Sequence, residues 1–345
     1  MKHTFKVTNL LIIIFVFAQL MGLLIINEYV DIKESSVSGE AVIKDDVYKH
    51  SVGGAPPEIE NKYVTAIFIL FSILFGTGVL LIIIKYRLGK VMKVWFFLAI
   101  VFCLGKAFSP FTYKLINYTL PSTVKYSVTI AMIIAAIFAY LKLFKNNIII
   151  HNLTEIFLYG GLAAFIVPNL DIQVAAILLV GISFYDMYAV WKSKHMVKMA
   201  QFQSNQKMFA GLMIPYKKPK DSKHQEEVQL FTQKVESSKN QKEEHTSTHH
   251  KNKKTKHEVE SSEEEIKTAI LGGGDIAFPL IFSGVVLFVT GSFINSFIIT
   301  ITTTIALALL LIKGQQNKFY PAMPFISAGC FAGYAIVWLL PKIGF

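Results

Sequence analysis

Residues 268–291 read TAILGGGDIAFPLIFSGVVLFVTG, an apolar stretch with the length of a membrane-spanning helix and a single charged residue, Asp275. Eight further apolar stretches of this kind occur, at 8–27, 63–84, 94–113, 125–144, 153–168, 172–191, 293–312 and 320–340. The chain has 345 residues, of which 53% are hydrophobic and 17% charged, and its mean hydropathy is +0.49. One or two soluble cores would leave much of that apolar surface uncovered. The pattern therefore predicts an all-α membrane protein with nine transmembrane helices. The first stretch reads as a retained signal anchor, because its apolar core runs from Leu10 to Ile26 and no small-x-small cleavage site follows. Cys103 and Cys330 both lie in apolar stretches and read as buried free thiols, with no metal-site spacing.

Charge fixes the orientation. The net charge is +11, which in a soluble chain would point to nucleic acid; here the lysines alternate with the connections between spans. Lys2 and Lys6 precede the first span, and Lys85, Arg87, Lys90 and Lys93 follow the second. Lys142 and Lys145 lie at the end of the fourth, sixteen lysines lie in 192–267, and Lys313 and Lys318 follow the eighth. The intervening loops are acidic or nearly uncharged: 28–62 holds eight acids against four lysines, and the turn at Gly291 holds no charge. By the positive-inside rule the N-terminus is cytoplasmic and the C-terminus outside. Three regions follow: 1–191 with helices 1–6, a hydrophilic cytoplasmic loop at 192–267, and 268–345 with helices 7–9. Within the loop, 218–265 is rich in Lys, Glu, Ser, Gln and His and reads as disordered, with no nucleic-acid motif. The stretch 196–216, with Met196, Phe202, Phe209, Leu212 and Ile214, reads as an interfacial or pocket-lining segment.

An acid census locates the chemistry. Of 23 acidic residues, eight lie in 28–62 and eleven in 192–267. Glu155 and Asp171 read as helix-end charges. Lys106 marks the outer end of a shorter third span or faces a cavity. Only Asp186 and Asp275 lie inside spans, where an acid costs ~2.5 kcal/mol or more and is retained for function. Asp186 precedes Lys192 by six residues and Asp275 follows Lys267 by eight. At helical rise both acids lie about 9–12 Å from the cytoplasmic surface. Two carboxylates that meet in a low-dielectric site share a proton. One then activates a water as general base, and the other donates to the scissile carbonyl and later to the leaving amine.

The flanking residues suit an extended peptide. Gly272, Gly273 and Gly274 leave room for a backbone to approach beside Asp275. The ninth span opens with Tyr320-Pro321-Ala322-Met323-Pro324, where prolines leave carbonyls free for a bound strand. With Tyr185-Asp186 in the sixth span, Gly272-Gly273-Gly274-Asp275 in the seventh and Pro321-Ala322-Met323-Pro324 in the ninth, the chain resembles the presenilin and signal peptide peptidase family of intramembrane aspartyl proteases, and the archaeal presenilin-like branch in particular. The resemblance implies that Asp186 and Asp275 are the catalytic pair and that Pro321 and Ala322 position substrate. Tyr185, the three glycines, Met323 and Pro324 then support the site. Met323 stands where the family has leucine, and Gly273 where it usually has a larger residue. The implied substrates are transmembrane-helix proteins within the lipid bilayer, cut in the cytoplasmic half of their span. No cofactor, metal or obligate partner subunit is implied, and a homo-oligomer stays open, since Gly329 and Gly333 give a small-residue face that packs within or between chains. The alternative from another class is a proton-coupled transporter using the same acids with Lys106. No His-Glu-x-x-His zinc motif and no intramembrane Ser/His pair occurs.

Overall fold

In the computed structural model, residues 5–31, 34–35, 42–54, 62–86, 88–145, 147–193, 209–217, 266–313 and 320–339 are described. Among them the long helices are α1 (Phe5–Tyr29), α2 (Lys62–Lys85), α3 (Gly89–Thr119), α4 (Ser127–Phe144), α5 (Ile148–Ile166), α6 (Ile172–Tyr188), α7 (Gly273–Thr290), α8 (Phe293–Lys313) and α9 (Met323–Leu339). Seven stretches, built on α1 and α3–α8, are long and apolar enough to cross a membrane; Ile67–Ile83 within α2 and Met323–Leu339 are shorter apolar helices. The protein is a multi-pass membrane protein. The sequence reading did not include a sheet: strands β1 (Gly211–Lys217) and β2 (Ile266–Gly272) pair with each other. The Gly273 N–H donates to the Ala210 carbonyl at 3.3 Å, so the start of β1 lies beside the end of β2, an antiparallel arrangement. The seventh apolar stretch is thus part strand and part helix, and the expected depth of Asp275, counted at helical rise from Lys267, is corrected accordingly.

The chain forms two compact units, Met1–Ile214 with Ile270–Phe345, and Pro215–Ala269. The described part of the second consists of residues 215–217 of β1 and 266–269 of β2. The stretch 218–265, expected to be disordered, lies outside the described residues, as does 194–208. Of the segment 196–216, Phe209, Leu212 and Ile214 are buried.

Within the large unit α7 packs against α1, α5, α6, α8 and α9. Lipid is as apolar as leucine, so helices in a membrane associate through close packing rather than water exclusion. Glycines supply that closeness. A Cβ at Gly160 of α5 would lie 3.2 Å from Gly22 Cα of α1, and one at Gly161 would overlap the Cys103 carbonyl oxygen of α3. The Gly329 and Gly333 face packs within the chain against α8: a Cβ at Gly329 would lie 2.9 Å from Thr303 Cα, and one at Gly333 would lie 2.8 Å from Ile299 Cα.

Two charge assignments are corrected. Lys106 lies inside α3, which continues to Thr119, and is 1% exposed. Its ammonium donates to Ser51 Oγ at 2.9 Å and to the Gly54 carbonyl at 3.3 Å. It also sits 4.5–5.1 Å from the ring centres of Tyr48, Tyr29 and Phe165. Burial pushes the Tyr48 phenol above its usual range, so the ring meets Lys106 as a neutral π face. Pro110 has no N–H to give the carbonyl four residues earlier, that of Lys106; the Tyr29 hydroxyl donates to it instead, at 2.6 Å. Glu155 is likewise no helix-end charge. Asn147 caps α5 by accepting from the Ile149 and Ile150 N–H groups, so α5 starts five residues earlier than expected. That puts Glu155 two turns in, fully buried and ion-paired with Lys142 of α4.

Candidate active site

Asp275 is positioned by the chemistry of a helix start. Gly272 is the N-cap of α7, so Asp275 is its third helical residue. That is the position from which a carboxylate reaches back to the N-cap N–H, and Asp275 accepts from the Gly272 N–H in this way. A Cβ on Gly272 would lie 3.2 Å from Asp275 Oδ2, so glycine keeps that contact open. Pro279, inside α7, removes the donor for the Asp275 carbonyl one turn earlier. The neighbouring Ile276 carbonyl accepts from Gln19 Nε2 of α1 at 2.8 Å.

Asp186 lies near the end of α6 and is buried. Its Oδ2 accepts from the Met323 N–H at 3.1 Å, and the Ala322 N–H also donates to the carboxylate. Pro321 and Pro324 have no N–H, so both donors of the tetrapeptide Pro321–Pro324 go to Asp186. Met323 is the first residue of α9, and Asp186 therefore occupies the positive end of that helix, where its orphan donors point. One turn away, Ser183 Oγ and Ser327 Oγ lie 2.8 Å apart and hold α6 against α9. α6 also packs on α7, and the two acids are near enough to interact electrostatically.

The other predicted residues divide. Met323 is buried beside Asp186, and Pro321 is buried with it. Gly273 lies against Tyr159, and a Cβ at Gly274 would touch only the Phe278 ring, at 3.5 Å. Tyr185 is not brought to the acid pair by its hydroxyl, which donates to Thr77 Oγ1 of α2 at 3.3 Å. Among the described residues no group of three or more His, Cys, Asp or Glu could hold a metal ion.

Sequence reasoning missed the supports. Asn152 of α5 behaves as a one-residue strand beside β1: its Nδ2 donates to the Met213 carbonyl at 2.8 Å and its Oδ1 accepts the Met213 N–H at 3.0 Å. His151 Nε2 lies 2.9 Å from the Gly211 carbonyl. Residues 211 and 213 present their backbone groups to the same edge, which these side chains occupy, while the other edge pairs with β2. β2 runs directly into Gly273 and Asp275, so α5 registers the segment leading to the acid. Gln19, Ser183 and Ser327 are uncharged polar groups in apolar stretches and Asn152 borders one, a signal weaker than an acid but readable in principle.

Residues 54–343 match a family described as signal-peptide peptidase, presenilin aspartyl protease. No curated protein matches the chain. Two solved structures of a presenilin family intramembrane aspartate protease, in C222 and P2 space groups, share its fold. The first has a TM-score of 0.52 at 13% identity, covering 94% of each chain. The second has 0.51 at 14% identity, covering 96% of each.

Proposed function

Because the chain belongs to the signal-peptide peptidase and presenilin family of aspartyl proteases, and so to the intramembrane aspartic proteases, we propose that Asp186 and Asp275 are its catalytic pair and share one proton. The observation that carries this reading is the convergence of two carboxylates, each at the N-terminal end of a helix, across the contact of α6 with α7. The ionised carboxylate takes a proton from a water, whose oxygen bonds to the scissile carbonyl carbon. The protonated carboxyl gives its proton to the carbonyl oxygen. On collapse one hydroxyl of the tetrahedral intermediate gives its proton to the ionised carboxylate, the C–N bond breaks, and the leaving amine takes the proton of the other carboxyl, so the pair again holds one proton.

The substrate is a transmembrane helix that unwinds locally, because a helix hides its peptide bonds. Pro321, Ala322, Met323 and Pro324 position it, and Gly272 and Gly274 give its backbone room beside Asp275, as expected of the Gly-x-Gly-Asp type, while the space at Gly273 is taken up by Tyr159. All nine helices span in this reading, with 192–267 cytoplasmic, as the lysine distribution supports. The transporter alternative drew on Lys106 as a third intramembrane charge, but that ammonium is engaged by Ser51, Gly54 and three rings.

The test is incubation of the purified chain with a model transmembrane peptide and mass spectrometry of the fragments. Asp186→Asn and Asp275→Asn each abolish cleavage while the protein stays folded. Near-normal turnover in either variant overturns the assignment.

A further inference from the structure

We propose that Tyr159 and Gly273 are a matched pair that sets where Asp275 stands, with Tyr159 a positioning residue acting through the first turn of α7. The inference rests on the acid-pair reading above and extends it to a side chain of α5.

Gly273 is the first helical residue of α7, and Asp275 follows it by two. A Cβ at 273 would lie 2.6 Å from Tyr159 Oη and 3.2 Å from Cε1 and Cζ. One of the two must move if a side chain is added there. Tyr159 is 3% exposed, and the helix that carries it is held on two sides. Gly160 brings α5 against α1 and Gly161 brings it against α3, so α5 has no freedom to roll. One turn before Tyr159 on the same face lies Glu155, ion-paired with Lys142 and 3.9 Å from His151 Nε2. Displacing the phenol backward therefore pushes it into a buried charge pair. The first turn of α7 is what yields, and Asp275 moves with it.

The hydroxyl itself points to the same conclusion. It faces Glu155 and acts electrostatically with both Glu155 and Asp275. Yet neither Tyr159 Oη nor Glu155 Oε2 closes a hydrogen bond of good geometry among the described residues. A buried donor is normally paired. Here it is held between a buried carboxylate and the backbone that carries the catalytic one.

The purified full chain in detergent tests this, with Gly273→Ala, Tyr159→Phe and the double variant assayed on the model transmembrane peptide. Gly273→Ala lowers kcat about tenfold, as a small misplacement of a reacting group does, and leaves KM within about twofold because substrate contacts are untouched. Tyr159→Phe removes the atom of closest approach, so the double variant recovers about threefold or more of the lost kcat. Tyr159→Leu, which also removes the ring edge, recovers activity when Phe recovers too little. Unchanged kcat in Gly273→Ala, or the same loss with Tyr, Phe and Leu at 159, overturns the pairing. The melting temperatures of the variants give a second cycle that needs no catalysis: Gly273→Ala lowers it, and truncation at 159 restores part of the loss. The acid-pair reading fails if Asp275→Asn still turns over; the matched pair fails if the two thermal effects simply add.

Discussion

Tyr29→Phe removes one hydroxyl from the buried corner around Lys106, and the structure says what that costs. The Lys106 carbonyl has no helical donor, because residue 110 is proline, and its partner is the Tyr29 hydroxyl at 2.6 Å. Phenylalanine keeps the ring over the Lys106 ammonium, 4.7 Å away in the native protein, so the π contact survives and the loss is that of the hydroxyl's hydrogen bonds, to the Lys106 carbonyl and with Ser51 and Ser109. A buried carbonyl left unpaired costs about 1–3 kcal/mol. Pro110→Ala restores an N–H aimed at the same carbonyl, so in that background the loss from Tyr29→Phe is smaller by about 1–2 kcal/mol. The assay is reversible unfolding in mixed micelles, followed by helical circular dichroism, on the wild type, the two single variants and the double. The informative quantity is the coupling, about 1–2 kcal/mol. An equal cost for Tyr29→Phe with proline or alanine at 110 would refute the argument that the hydroxyl substitutes for the missing helix donor.

Cleavage by an acid pair with one shared proton requires one protonated and one ionised carboxylate, so the rate falls in acid as both protonate and in base as both ionise. A bell-shaped profile is expected, and a rate that is flat from about pH 4 to 9 would argue against the shared proton. The proposed cytoplasmic placement of 192–267 predicts that a cysteine introduced at position 249 is labelled by an impermeant reagent only after the cells are opened. Labelling in intact cells reverses the orientation, and with it the expectation that substrates are cut in their cytoplasmic half.

The acids at 186 and 275 stood out in the sequence because lipid makes charge conspicuous: a carboxylate in an apolar stretch is costly and so becomes a candidate for function. The strand before Asp275 was not. Residues 268–272 are apolar, and over so short a run a buried strand and the first turn of a spanning helix share the same periodicity. The difference matters, because a strand advances about 3.3 Å per residue where a helix advances about 1.5 Å. What distinguishes them is the pairing of β2 with β1, which ends at Lys217, far from Ile266 in sequence, and is itself fixed by Asn152. Lys106 and Glu155 were misplaced for a related reason. Whether a charge can sit two or more turns inside a span depends on what other helices bring to it. Tyr29, Tyr48 and Phe165 around Lys106, and Lys142 beside Glu155, are assembled only by packing.

The two carboxylates reach the same electrostatic solution from opposite directions along the chain. Asp275 is three residues into α7 and uses the backbone of its own helix start. Asp186 ends α6 and borrows the start of α9, through the N–H groups of Ala322 and Met323. A low-dielectric interior offers few donors other than the first turn of a helix, where four N–H groups have no helical partner. The prolines at 321 and 324 leave two N–H groups in that tetrapeptide, both directed to Asp186. Any substrate strand that draws donors from Pro321–Pro324 must therefore compete with Asp186 for them. On the proposed chemistry, substrate docking and the charge on Asp186 are then linked through the same two N–H groups: taking one of them for the substrate backbone weakens the hold on an ionised Asp186 and favours the proton moving to it, leaving Asp275 the base.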